Sequence, residues 1–213
     1  MGNRRSSAAF TQKMMGHSSS TEGNEKANDA CSPQFSVESV PARSLSSTLL
    51  RKGMTLNALV WPVKVPVNRR VEKRQRESRQ DSEVMSQMTW HFIREGGAII
   101  AMARTFRRVI TEVSGQHFPV LALAGVCTHP HQRGRGLGRA VVWAAWSLLQ
   151  ADLHVCFFQT GVPAFYERMG ARTVTNLICD STGARGFWDP HAMIYPATAA
   201  WPAGELDLLG GGW

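Results

Sequence analysis

The chain has 213 residues, 43% of them apolar, a formal net charge of +8 and an isoelectric point near 9.9. That length suits a single domain plus a tail. No apolar run approaches the ~20 residues of a membrane span, and the first residues lack the charged start and apolar stretch of a secretion signal. A basic chain suits polyanions such as phosphorylated ligands, nucleic acid or anionic lipid, without choosing among them. The four cysteines, Cys31, Cys127, Cys156 and Cys179, form no CxxC pair. Cys127 and Cys156 fall in apolar stretches, so the expectation is reduced, buried thiols in a cytoplasmic protein with no metal site.

Residues 1–47 are rich in Ser, Asn, Gln, Gly and charge, with no hydrophobic period. Such a segment cannot bury enough apolar surface to offset its ordering entropy, so it reads as a disordered tail, with the domain at 48–213 and its motif-bearing core at 88–196. Met1-Gly2-Asn3-Arg4-Arg5-Ser6 matches a myristoylation signal in form, which we read as a chance match. Leu49–Val67 is apolar and interrupted by Pro62 and Pro66, fitting an early helix. Residues 68–87 are charged throughout and read as a solvated helix with pairs such as Glu72–Arg76. A nucleic-acid-binding arm is the alternative there, although no aromatic residues are interleaved for base stacking.

Thr89–Arg94 alternates and closes on Glu95-Gly96-Gly97, a hairpin turn signal. Ala98–Ile110 is predicted as a strand, Ser114-Gly115 as a turn, and Phe118–Cys127 as a buried strand. A loop of basic residues and glycines then leads into a helix predicted over Ala140–Leu149. Val155–Phe158 is a further strand, followed by a short helix near Tyr166. Arg172–Cys179 and Phe187–Tyr195 are predicted strands joined at Ser181-Thr182-Gly183, and the tail from Trp201 to Trp213 is loop-like. This order predicts a mixed α/β fold, with a mostly antiparallel central sheet and flanking helices.

The chemistry concentrates between Val126 and Arg139. Gly134, Gly136 and Gly138 let backbone approach a ligand with no Cβ in the way. The first N–H groups of the following helix lack intrahelical partners and carry the positive end of its dipole. Arg133, Arg135 and Arg139 add forked donors suited to phosphate oxygens. Neither the Gly-x-x-x-x-Gly-Lys-Ser/Thr loop nor the Gly-x-Gly-x-x-Gly fingerprint fits here. The pattern that fits is Arg/Gln-x-x-Gly-x-Gly, as Arg133-Gly134-Arg135-Gly136-Leu137-Gly138.

That loop, placed after a strand and before a helix, resembles the coenzyme A loop of the GCN5-related N-acetyltransferases (GNAT). A second stretch, Val162-Pro163-Ala164-Phe165-Tyr166-Glu167-Arg168-Met169-Gly170, resembles the same family's Phe-Tyr-Glu-x-x-Gly helix, in the right order. The resemblance spans 88–213 and implies the GNAT acyl-CoA N-acyltransferase fold, with the preceding helices supplied by residues 50–87. It implies acetyl transfer from acetyl-CoA to a small-molecule or protein amine by direct attack in a ternary complex. Val126, Cys127 and Thr128 would bind the pantetheine arm through their backbone. Arg133, Gly134, Arg135, Gly136, Leu137, Gly138 and Arg139 would hold the pyrophosphate. Tyr166 would protonate the leaving thiolate, a task suited to a phenol of pKa about 10. Gln159 stands where relatives often carry Asn, and would meet the pantetheine amide.

The strand Phe118–Cys127 carries no carboxylate, so His129, at the mouth of the loop, is the candidate general base, with His117 as the other neutral-pH titrating group nearby. The pattern Val162-Pro163-x-Phe165-Tyr166-Glu167-Arg168-x-Gly170, with the C-terminal segment from Asp207 to Trp213, looks similar to the branch that includes aminoglycoside 2′-N-acetyltransferases. Asp189, Glu205, Asp207 and the terminal carboxylate would be the acidic supply for a polyamine-like acceptor, against a plain edge-covering role with Trp201 and Trp213 as packing. We take the packing role, and a small amine as the acceptor. No membrane partner is expected, a nucleic-acid partner is disfavoured, and a homodimer is compatible with the sequence. The rival readings are an acyl-CoA-binding module without turnover and a basic nucleic-acid-binding protein.

Overall fold

Alternation along Thr89–Glu95 sends Trp90 and Phe92 to one face and His91 and Ile93 to the other, and all four are buried. A strand covered on both faces needs helices on both sides, and the computed structural model has this arrangement. It describes residues 35–62, 64–79, 87–180 and 190–210. The central strands are β2 (Thr89–Glu95), β3 (Ala98–Glu112), β4 (His117–Thr128) and β5 (Cys156–Thr160). They are flanked by β1 (Glu38–Pro41) on one side and by β8 (His191–Tyr195) and β6 (Arg172–Val174) on the other, in the order β1-β2-β3-β4-β5-β8-β6. Pairing is antiparallel except between β4 and β5 and between the short strands β7 (Ile178–Cys179) and β9 (Leu206–Asp207). The mixed, mostly antiparallel sheet is therefore the one the sequence predicts.

Two helices cover one face. In α1 (Ser47–Val60), Ser46 caps the start, its Oγ accepting from the Leu49 N–H at 3.2 Å. With α2 (Val67–Arg79), α1 closes a core around Trp90, Phe92, Met102 and Cys127. On the other face, α3 (Leu137–Trp146) packs Val141, Val142 and Ala145 against Ala101, Ala103 and Leu123.

Several boundaries differ from the sequence expectation, each for a local reason. Ordered structure begins before residue 48, because Glu38–Pro41 pair with Phe92–Thr89 as an edge strand. Four residues ending in proline carry almost no strand signal of their own. The helix expected at Ala140 starts at Leu137, where Gly136 takes the capping position. The strand expected over Arg172–Cys179 breaks after Val174, since the Asn176 amide turns aside to donate to the carbonyls of Pro202 and Gly204 at 3.0 and 2.7 Å. The tail is not all loop: Leu206 and Asp207 pair with Glu112 and Thr111 at the end of β3. Trp201 stacks on Phe157 with centroids 5.1 Å apart and donates its indole N–H to Asn176. Residues 1–34, Ser181–Gly183, Phe187–Asp189 and Trp213 lie outside the described residues.

His91 is fully buried between β1 and β3, its Nδ1 2.8 Å from Ser39 Oγ and its Nε2 3.0 Å from Thr105 Oγ1. Burial without a countercharge pushes its pKa down to about 4. Above the unfolded value of about 6.5 the ring is neutral in both states and neutral to stability. Below that value only the unfolded chain gains a proton, so the native state loses stability down to the folded pKa. We expect unfolding midpoints to fall between about pH 6.5 and 4, by at most about 1.4 kcal/mol per pH unit from this residue. Denaturant titrations of wild type and His91→Gln across that range check it, since the variant lacks this component of the slope.

Candidate active site

The cleft begins with one surplus residue. Along β3 and β4, Met102 faces Cys127 but Arg104 faces Ala124, so β4 carries an extra residue at Gly125-Val126. Gly125 sits at φ 58°, in the left-handed region, as a glycine-led bulge requires. Its missing side chain leaves room for Arg104, whose Nε would lie 3.0 Å from a Cβ built there. A bulge bends its strand and strengthens the twist. β4 and β5 part just ahead of it: their parallel pairing is confined to Leu121–Cys156 and Ala122–Phe157, although both strands run on, to Thr128 and Thr160. The facing edges from Leu123 to Thr128 therefore offer backbone donors and acceptors that no strand ladder consumes.

Val126, Cys127 and Thr128 line the resulting cleft of about 720 Å³. Burial pushes the Cys127 thiol up to about 12, so at neutral pH it is neither a thiolate nor a nucleophile. Gln159 and Thr160 lie opposite on β5. Gln159 Oε1 is buried with no hydrogen-bond partner among the described residues, an acceptor left over inside the cleft.

At the far end, Thr128 gives way to a single turn over Pro130–Gln132 and then to the glycine loop. Gly134 and Gly136 both adopt φ 80°. Gly138 packs so closely on the end of β4 that a Cβ would stand 3.3 Å from Thr128 Oγ1. The Leu137, Gly138 and Arg139 amides open α3, where no preceding turn accepts from them. Arg133, Gly134, Gly136, Leu137, Gly138 and Arg139 all line the cleft.

Arg135 is not among the described lining residues. Its guanidinium forms a two-pronged pair with Glu95 at 3.0 and 3.3 Å, donates to Gln132 Oε1, and lies 5.6 Å from the Phe35 ring centroid. The hydrogen bond and charge of Arg135 hold the Glu95 carboxyl below the usual carboxylate range.

Tyr166 enters from α4 (Pro163–Glu167), a short helix whose proline sits in its first turn. The phenol is buried, with its ring 4.6 Å from Phe158 and 4.8 Å from Phe165, and it lines the cleft beside them. His129 is placed otherwise. Its backbone N–H donates to the Ile100 carbonyl at 2.8 Å, its ring Nδ1 is buried with no hydrogen-bond partner among the described residues, and its ring lies 5.6 Å from that of His131. It is not among the described lining residues. Residues the motifs did not reveal include Val60 and Trp61 at the end of α1; Val162, at the head of the tyrosine motif, joins them on the cleft wall. The detectable signal was a tryptophan at a helix end just before Pro62. Trp61 and Val162 remain 43% and 60% exposed, an apolar wall facing solvent.

The family model described as an acetyltransferase (GNAT) domain matches residues 42–174. Among solved structures, a GCN5-related N-acetyltransferase from Kribbella flavida is 15% identical with a TM-score of 0.50, the alignment covering 65% of this chain and 33% of that one. An acetyltransferase from Trypanosoma brucei is 16% identical with a TM-score of 0.51, covering 66% and 96%. At these identities the likeness concerns the fold, and this chain spans about a third of the Kribbella protein. No match is found among curated proteins.

The bulge generates a stability prediction. Gly125→Ala places a Cβ at a left-handed φ and against the Arg104 guanidinium, and we expect a loss of about 1–2 kcal/mol. Gly125→Asn tolerates that φ better, so it serves as the backbone-matched comparison. Urea unfolding of the two variants measures the effect; equal midpoints for Gly125→Ala and wild type would mean the bulge is unstrained.

Proposed function

This chain belongs to the GNAT acetyltransferase family, and we propose that it moves the acetyl group of acetyl-CoA to the primary amine of a small acceptor, by direct attack in a ternary complex. The observation that carries the reading is one cleft holding three things: the unladdered edge of β4, the glycine loop that opens α3, and the Tyr166 phenol.

Acetyl-CoA supplies an activated thioester. The backbone of Val126, Cys127 and Thr128 would take the pantetheine arm as if it were the next strand, with Gln159 reaching it from β5. The amides of Leu137, Gly138 and Arg139, with the side chains of Arg133 and Arg139, would take the diphosphate. A β4 N–H left unpaired by the splay is suited to the charge that builds on the thioester oxygen. As the acceptor nitrogen bonds to the carbonyl carbon, the carbon–sulfur bond breaks and its electron pair stays on sulfur. Tyr166 would give its proton to that sulfur. His129 is left out of this reading because it is not among the described lining residues. The acceptor ammonium loses one proton to solvent before attack. The second proton, shed by nitrogen once the carbon–nitrogen bond has formed, is passed through solvent to restore the Tyr166 phenol. The acceptor's body would rest on Trp61, Val60 and Val162.

Among the described residues, no helix is long and apolar enough to cross a membrane. With Cys127 and Cys156 present as buried free thiols, we place the enzyme in the cytoplasm.

Calorimetry with acetyl-CoA followed by a primary-amine panel tests the assignment. Binding in the micromolar range and acetylated product are expected, and a silent titration would sink it. Tyr166→Phe is expected to keep donor affinity while turnover drops about 10²–10⁴-fold. Unchanged turnover in that variant would leave the phenol a packing residue only.

A further inference from the structure

The donor loop has a mechanical problem. Two of its residues, Gly134 and Gly136, sit at φ 80°, and a Cβ at either would meet nothing within 4 Å. Glycine backbone has the most freedom to lose on ordering, and an anion cradle works only if its amides already converge. Arg133 and Arg139 lie on the cleft, but Arg135, between the two glycines, is committed elsewhere.

Its commitment is to a rigid corner. Glu95 is the last residue of β2, and Gly96-Gly97 turns directly into β3, with Glu95 paired to Ala98 across the turn. The Gly97 carbonyl accepts from Lys52 Nζ on α1, tying that corner to the helical layer. Arg135 reaches the corner through both terminal guanidinium nitrogens while holding Gln132 of its own loop. Its plane lies near Phe35, which packs on the core beside α3. A forked pair fixes direction as well as distance, which a single point contact does not.

We propose that Glu95 is a positioning residue for the acyl donor: by gripping Arg135 it pre-forms the glycine loop, and Arg135 serves the loop's shape and not the phosphates directly. The proposal rests on the acetyl-CoA reading above. The alternative geometry, with Arg135 swinging free to a phosphate, makes opposite predictions. In that case Glu95 competes for the guanidinium and repels the donor, so Glu95→Gln would tighten binding.

The test measures coenzyme A and acetyl-CoA dissociation constants by calorimetry for wild type, Glu95→Gln, Arg135→Ala and the reciprocal swap Glu95→Arg with Arg135→Glu. An exposed pair of this kind predicts about two- to fivefold weaker donor binding in each single variant. The swap should recover most of the loss. The kinetic counterpart is a raised KM for acetyl-CoA, with little of the loss appearing in kcat. Hydrogen exchange of the donor-free protein should speed up at residues 133–138 in Glu95→Gln. Donor binding by Glu95→Gln as tight as wild type, or tighter, overturns the clamp, and so does a swap with no recovery. Absence of any donor binding by wild type would instead remove the functional reading on which the clamp depends.

Discussion

The site exists because β4 has one residue more than its partner can match. Sheet hydrogen bonding is close to obligatory for buried backbone, so two adjacent strands normally have no edge to offer a ligand. The surplus at Gly125-Val126 bends β4 away from β5 while leaving both strands anchored at Leu121–Cys156 and Ala122–Phe157. An unsatisfied edge is thereby held open by satisfied structure on either side. Arg104, seated in the space a Cβ would fill and 5.2 Å from the Trp90 ring centroid, occupies the place where a side chain at residue 125 would otherwise lie.

Charge in the loop divides by task. Three arginines within seven residues look interchangeable in composition, but the fold sorts them. Two stand exposed on the cleft, where a polyanion can be met without burying charge. The third is paired with Glu95 at 3.0 Å. The Cys127 thiol, sharing the same strand, is kept protonated by burial.

Much of this was legible in the amino-acid order. The glycine loop, the strand before it and the tyrosine helix could be read because each rests on local chemistry: backbone freedom, unpaired amides and an aromatic-proline turn. The bulge also left a trace, a lone glycine inside a strand pattern. What could not be read depends on partners far along the chain. Arg135 meets Glu95 across 40 residues, a pairing the loop's own sequence does not announce. His129 has the right chemistry beside the right loop, but the β3 carbonyl that fixes its backbone is a tertiary fact. Strand β1 is visible only once β2 supplies the other half of the ladder.

The C-terminal segment has a consequence for how the chain reaches this state. Beyond Thr105, β3 outruns β2, and at Thr111 and Glu112 it is β9 that fills that flank. Arg108 meanwhile donates to the Leu208 carbonyl across a sequence distance of 100. During synthesis the far end of the longest strand therefore emerges long before the segment that shields it. Contacts of such span are costly to close and form late, which leaves an open strand margin on the nascent protein for that interval.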